Sequence, residues 1–143
     1  MKIGSVVLAI LCCTAVSCGA AQKVEGNPCE RFDPDINNVW NSRVQSDLEF
    51  TARIYKGEMD AELAGEIIIR MDHISRDWSL KRESSCVDHF VHGTLSKDEY
   101  EDIEECFNDV LSKVDSCVSS LDDSVDSAIG GLESLTEALE QCR

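Results

Sequence analysis

The stretch that decides the fold is residues 96–142, SKDEYEDIEECFNDVLSKVDSCVSSLDDSVDSAIGGLESLTEALEQC. It opens with Ser96 and Glu99, which have the spacing of a capping box, in which serine and glutamate satisfy each other's free backbone amides. Apolar residues then recur every three or four positions, at Tyr100, Ile103, Phe107, Val110, Val114, Cys117, Leu121, Val125 and Ala128. Gly130-Gly131 interrupts this pattern, which resumes at Leu132, Leu135, Leu139 and Cys142. We therefore expect a long C-terminal helical hairpin that turns at the two glycines.

Helical periodicity also dominates the residues before this stretch. Asp33-Pro34 is typical of an N-cap and first helical residue, and the apolar positions that follow until Gly57 are Ile36, Trp40, Val44, Leu48, Ala52 and Tyr55. Asp60 is a second N-cap, and its helix carries Leu63, Ile67, Met71, Ile74 and Trp78. A short third segment, 85–92, ends at Gly93. The predicted fold is all-α: a small, disulfide-stapled antiparallel bundle of about five helices.

Residues 1–21 are predicted to be a signal peptide. Lys2 supplies a positive charge, and an apolar core and a run of small residues follow it. The apolar run is too short to span a membrane, and no second run follows. An alternative interpretation is a bacterial lipoprotein box at Ala15–Cys18, with the cysteine lipidated. We expect residues 22–143 to form a single domain that is secreted to the extracellular space.

The cysteines that follow the leader predict disulfide bonds, and they are Cys29, Cys86, Cys106, Cys117 and Cys142. Cys106 and Cys117 lie on one predicted helix about 16 Å apart, too far to bond each other. A turn at Gly130-Gly131 returns Cys142 to the neighbourhood of Cys117, so we predict the bridge Cys117–Cys142. The second predicted bridge, Cys86–Cys106, flanks the glycine turn before the last helices. Cys29 is then left unpaired, which allows either a monomer or a dimer linked by a disulfide through this cysteine. In the rival pairing Cys29 bonds Cys86, and Cys106 is no longer bonded to Cys86.

The sequence is strongly acidic. It has 28 acidic and 13 basic residues and a formal net charge of −15, and the final segment from Thr94 carries 14 acidic residues against three basic ones. This charge disfavours nucleic acid and anionic membranes as partners and favours a basic patch on an extracellular protein. The candidate partner-binding residues lie outside the apolar stripe, at Glu101, Asp102, Glu105, Asp109, Asp122, Asp123 and Asp126. The alternative is that this charge serves solubility alone.

No residue pattern typical of catalysis is present. The chain has no serine in a nucleophile elbow and no glycine-rich phosphate loop, so we predict a protein that is not an enzyme and needs no cofactor. Two metal-binding alternatives remain. Cys86, His89 and His92 have the spacing of zinc ligands. Residues 122–133 resemble a single EF-hand calcium loop, with Ser127 where the loop needs glycine.

A further alternative is a carrier of a small hydrophobic ligand. A helical bundle can enclose such a ligand between its helices, in a cavity lined by apolar and aromatic side chains. The aromatic residues available for this purpose are Trp40, Trp78, Phe90 and Phe107. This interpretation predicts an internal apolar cavity and a lipid that remains bound during purification.

The leader, the helical span from Asp33 to Arg143 and the late cysteines Cys86, Cys106, Cys117 and Cys142 resemble the anophensin/albicin type of salivary protein from blood-feeding mosquitoes. Such proteins block the activation of host complement or of the contact pathway by binding host proteins. The resemblance implies a secreted all-helical inhibitor that acts by binding a protein. No functional residue is transferred with it.

Overall fold

The structure, a computed structural model, describes residues 28–29, 33–54, 60–121 and 125–143. Its α-helices are α1 (Asp33–Val39), α2 (Ser42–Ile54), α3 (Ala61–Val87), α4 (Lys97–Ser120) and α5 (Val125–Gln141). The predicted all-α fold with disulfide staples is confirmed. None of the described helices is long and apolar enough to cross a membrane. The predicted signal peptide, residues 1–21, lies outside the described residues.

The first predicted helix is divided into α1 and α2 at Trp40 and Asn41. The Asn41 side-chain oxygen accepts hydrogen bonds from the backbone amides of Arg43 at 3.0 Å and Val44 at 3.2 Å, so it caps α2. The apolar stripe continues across the break, with Ile36, Trp40, Leu48 and Ala52 all buried. The prediction identified the buried face correctly, but the helix is interrupted at Asn41, because the asparagine side chain caps the free backbone amides at the start of a new helix.

Helix α3 begins at the predicted cap, where the Asp60 carboxylate accepts a hydrogen bond from the Leu63 amide at 2.8 Å. The predicted separate segment 85–92 is instead a continuation of α3, because the helix runs to Val87 and passes into a π-helical turn, Asp88–His92. Gly93 ends this turn with φ at 63°, in the left-handed region that favours glycine. The predicted end at this glycine is therefore confirmed.

Helix α4 begins with the predicted capping box. The Ser96 amide donates to the Glu99 carboxylate at 2.8 Å, and the Glu99 amide donates to the Ser96 hydroxyl at 3.3 Å. Hydrogen bonds from the backbone and side chain of Ser96 lower the pKa of the exposed Glu99 carboxyl. The buried face of α4 consists of Ile103, Phe107, Val110, Val114 and Cys117, as the stripe predicts.

One hydrophobic core joins all five helices. The buried Trp78 of α3 donates its indole N–H to the Phe107 carbonyl of α4 at 2.9 Å, and the two rings meet edge to face with centroids 6.1 Å apart. Elsewhere on α3, Asp72 accepts hydrogen bonds from Trp40 at 2.7 Å and from Gln45 at 2.9 Å. These contacts join α2 to α3 and α3 to α4. Because Trp78 meets Phe107 and Arg82 meets Glu104, α3 and α4 run antiparallel.

The C-terminal hairpin is present, but its turn lies earlier than predicted. Helix α4 ends at Ser120 and α5 begins at Val125, so Gly130 and Gly131 lie inside α5. A Cβ atom at Gly131 would stand only 3.3 Å from the Cys117 sulfur of α4. This glycine therefore permits a close approach of two helices, a role that sequence spacing does not distinguish from a turn.

The position of the turn changes the disulfide pairing. In this register Cys142 faces Cys106 instead of Cys117, and the two bond with their Cα atoms 5.6 Å apart. Cys29 bonds Cys86 at the same Cα separation of 5.6 Å, which is the pairing that we considered as the rival. The predicted bridges Cys117–Cys142 and Cys86–Cys106 are therefore wrong. Among the described residues, the free cysteine is Cys117 and not Cys29.

Candidate functional site

The four predicted partner-binding residues of α4 lie on one exposed face. We call Glu101, Asp102, Glu105 and Asp109 the acidic α4 face; all four are exposed. Spacings of three and four residues place their side chains next to one another, opposite the stripe that enters the core. The remaining predicted residues are not placed in the same way: Asp122 and Asp123 lie outside the described residues, and of Asp126 only the position on α5 is described.

Most of the charge on this face is not neutralised by the protein itself. Glu101 accepts from the Lys97 ammonium at 3.3 Å, an exposed pair four residues apart. The side chains of Asp102, Glu105 and Asp109 form no hydrogen bond or ion pair with any described residue. Carboxylates four residues apart on a helix repel each other, so a cation from outside the chain would relieve this repulsion.

A surface groove adjoins the acidic α4 face. Its lining includes Leu95, Asp102, Ile103 and the Cys106–Cys142 disulfide. Arg143 contributes a cationic side chain to the same groove. Apolar contact area is therefore available beside the exposed carboxylates. A binding surface needs such apolar area because charges at its rim mainly affect the rate of association.

An ionic cluster around the buried Arg82, which the sequence did not predict, involves the neighbouring residue Glu104 of α4. The Arg82 guanidinium, with 8% of the residue exposed, bonds Glu104 at 2.7 Å and Asp35 at 2.8 Å, and lies 4.9 Å from the centre of a Trp78 ring. Burial opposes the arginine charge, but the two carboxylates outweigh it and the pKa of Arg82 is raised. The Glu104 carboxylate is thus paired with Arg82 within the fold. The sequence feature that indicated this cluster was an arginine on the buried stripe of α3, one helical turn after a tryptophan.

The sequence also did not predict an exposed aromatic cluster at the corner between α3 and α4. We call His89, Phe90, Val91 and Tyr100 the aromatic tip. Phe90 is 57% exposed and Val91 59% exposed. The His89 ring stacks on Tyr100 with centroids 4.7 Å apart, and Phe90 meets both rings edge to face. The signal was an apolar pair at the end of α3, outside its buried stripe.

The zinc alternative is wrong. Cys86 is bonded to Cys29 and so has no thiolate to offer a metal ion. His89 uses Nδ1 to contact the Leu95 carbonyl at 2.9 Å, and His92 is exposed. No group of three metal-ligating side chains occurs within the described ranges of the chain.

The EF-hand loop proposed for residues 122–133 does not agree with the described backbone. Residues 125–133, the fourth to twelfth positions of the proposed loop, belong to α5 and are helical. An EF-hand loop wraps around its ion with a sharp turn at the sixth position, which is Ser127 here. Helical backbone at that position cannot make this turn. The first three residues of the proposed loop lie outside the described residues.

No cavity lined by described residues alone brings together the four aromatic residues considered for a carrier. Trp40, Trp78 and Phe107 are buried in the core, where both indole N–H groups donate hydrogen bonds within the fold. Phe90, in contrast, is exposed to solvent at the aromatic tip. Of these four residues, three therefore pack in the core and Phe90 lies at one surface corner.

Comparison of the chain with protein-family models, with curated proteins and with solved structures finds no match. The resemblance to salivary proteins of the anophensin/albicin type therefore stays a prediction. What the chain does has to be inferred from the acidic α4 face and from the aromatic tip.

Proposed function

We propose that the chain is a secreted, non-enzymatic protein-binding effector whose acidic α4 face occupies a basic patch on an extracellular protein. The observation that carries this proposal is the exposure of Asp102, Glu105 and Asp109 without any partner among the described residues. Complementary charges of this kind steer two proteins together and disfavour wrong partners.

The frame around the acidic α4 face supports binding by a preformed surface. Helix α4 is capped at its start, packed against the core along its length and bonded to the chain end through Cys106–Cys142. A rigid surface loses little conformational entropy when a partner binds, so more of the contact energy contributes to affinity. The two disulfides also fit the oxidising extracellular compartment.

The resemblance to salivary proteins adds a partner class to this proposal. We propose that the chain inhibits the activation of complement or of the contact pathway in host plasma. The test adds the mature chain, residues 22–143, to human plasma and measures activation of each pathway. We expect wild-type protein to inhibit one of them in a concentration-dependent manner.

A charge-reversal variant of α4 tests the surface, and it carries Asp102→Lys, Glu105→Lys and Asp109→Lys. Its matched control changes three exposed residues of α5, Glu133→Lys, Glu137→Lys and Glu140→Lys, and so alters the net charge equally. We expect the α4 variant to lose about tenfold or more in inhibitory potency, because it removes the charges that steer association. The α5 control should retain its potency.

Circular dichroism of both variants should match that of the wild type, since all six side chains are exposed. Equal loss in both variants would mean that only net charge matters and would refute the acidic α4 face. If wild-type protein inhibits neither pathway, the inhibitory function itself is refuted.

A further inference from the structure

The aromatic tip differs from the other exposed apolar residues of the described chain. Large apolar side chains that are more than half exposed are Phe50, Ile54, Ile69, Leu80, Phe90 and Val91. Of these, only Phe90 and Val91 are adjacent in sequence. Phe90 is also the one of the six that belongs to a cluster of aromatic rings in mutual contact, with His89 and Tyr100. Exposed aromatic residues are typical anchors of protein interfaces.

The exposure of Phe90 occurs on a tightly held segment. Its ring centroid lies 4.5 Å from that of His89 and 5.4 Å from that of Tyr100. The Asp88 carbonyl accepts hydrogen bonds from both the amide and the hydroxyl of Thr94, at 2.9 and 3.1 Å. The Cys29–Cys86 disulfide ties the end of α3 just below the tip. A partner would therefore meet an already ordered aromatic surface.

The charges around the aromatic tip define the partner that it fits. Between Arg82 and Glu105 the sequence has eight acidic residues and two basic residues, Arg82 and Lys97. Both basic residues are already paired, Arg82 with Asp35 and Glu104, and Lys97 with Glu101. An exposed aromatic ring in such surroundings favours a cation, and arginine in particular stacks its planar guanidinium on aromatic faces.

We propose that the aromatic tip anchors the interface by receiving an arginine that adjoins an aliphatic side chain on the partner protein. The aliphatic side chain packs on Phe90 and Val91. The guanidinium stacks on the exposed ring and is neutralised by the surrounding carboxylates. This proposal rests on the proposed protein-binding function, and it adds an apolar anchor and a partner chemistry to the acidic α4 face.

The probe is a fluorescein-labelled peptide of about twelve residues with alternating leucine and arginine. Its binding to the mature chain is followed by fluorescence anisotropy at physiological ionic strength. One comparison peptide replaces arginine by its neutral analogue citrulline, and another replaces leucine by serine. We expect the leucine–arginine peptide to bind about tenfold or more tightly than either comparison, because both the cation and the apolar contact contribute.

Phe90→Ala tests the tip against a matched control, Phe50→Ala, which removes a ring that is 63% exposed on α2. We expect Phe90→Ala to weaken binding of the leucine–arginine peptide about tenfold and Phe50→Ala to change it less than about twofold. A second variant, Val91→Ser, leaves the ring contacts in place and should weaken binding about threefold. Equal effects at Phe90 and Phe50, or no saturable binding to wild-type protein, would overturn the proposal.

The α4 charge-reversal variant separates this proposal from the function on which it rests. If Phe90→Ala loses peptide affinity and the α4 variant keeps its full potency in plasma, the aromatic tip is supported and the acidic α4 face is refuted. If the α4 variant loses potency in plasma while Phe90→Ala keeps both potency and peptide affinity, the proposed function is supported and the tip is overturned.

Discussion

At the scale of single residues, tertiary packing lowers the reactivity of the Cys117 thiol. The thiol lies between α4 and α5, only 7% exposed, and its sulfur is 3.6 Å from the Ala128 carbonyl. Burial raises its pKa, so the reactive thiolate forms only at a higher pH than in an exposed cysteine. A disulfide-linked dimer through this odd cysteine would require α4 and α5 to separate.

Cys117 should accordingly react slowly with a thiol reagent in the native protein. At pH 8 we expect its rate with Ellman's reagent to be about tenfold or more below the rate in urea, because access and ionisation are both reduced. Equal rates with and without urea would contradict the burial of the thiol.

The raised pKa of Cys117 also makes stability depend on pH. Below the pKa that the thiol has in the unfolded chain, near 9.0, the protonated thiol stabilises the fold; this contribution is lost as the pH rises through the higher pKa of the folded protein. Cys117→Ala should lack this alkaline loss of stability.

At the scale of single helices, the two glycines of α5 have different surroundings. A Cβ atom added at Gly130 would meet no atom within 4 Å, whereas one added at Gly131 would meet the Cys117 sulfur at 3.3 Å. Both glycines are inside the helix, where glycine is less favourable than alanine. Gly130 therefore tolerates a side chain, whereas Gly131 lies too close to Cys117 to accept one without a shift of the sulfur.

Alanine substitutions at these glycines test the position of the hairpin turn. Gly130→Ala should raise the free energy of unfolding by about 0.5–1 kcal/mol, since it only improves helix propensity. Gly131→Ala should gain less or lose stability, because the Cys117 sulfur has to move. Urea denaturation followed by circular dichroism measures both values. Destabilisation of similar size in both variants would place the turn at the glycines and contradict the observed register.

At the scale of the whole molecule, two disulfides connect distant parts of the chain. Cys29–Cys86 spans 57 residues and joins the start of the described chain to the end of α3, and Cys106–Cys142 spans 36 residues and joins α4 to the chain end. Long loops of this kind lose the most unfolded-state entropy when they are closed. The bundle therefore depends on both bridges as well as on its core.

Removal of either disulfide should lower the free energy of unfolding by about 4 kcal/mol. The double substitutions Cys29→Ser with Cys86→Ser, and Cys106→Ser with Cys142→Ser, test each bridge by urea denaturation. Peptide mapping of the unreduced wild-type protein should recover both linked pairs. Cys117→Ala is the control, since it removes a cysteine without removing a bridge. A recovered Cys117–Cys142 peptide would contradict the pairing.

Much of the helical architecture follows from local sequence signals. Asp60, the capping box at Ser96 and Glu99, and the helix end at Gly93 involve residues within a few positions of one another, so spacing alone identifies them. The exposure of the acidic α4 face follows in the same way, since its residues lie outside the apolar stripe. The all-α class needs no more than these local rules.

Tertiary contacts decided the turn of the C-terminal hairpin, the disulfide partners and the aromatic tip. Glycine suits both a turn and a close helix contact, so only the packing of α5 against α4 shows which role Gly131 has. Cys106 and Cys117 both point toward α5, and the register of that helix selects Cys106 for Cys142. The tip requires His89 and Tyr100 to meet across the corner between two helices. Local spacing specifies which face of each helix is buried, but the alignment of one helix along another depends on side-chain packing between residues distant in sequence.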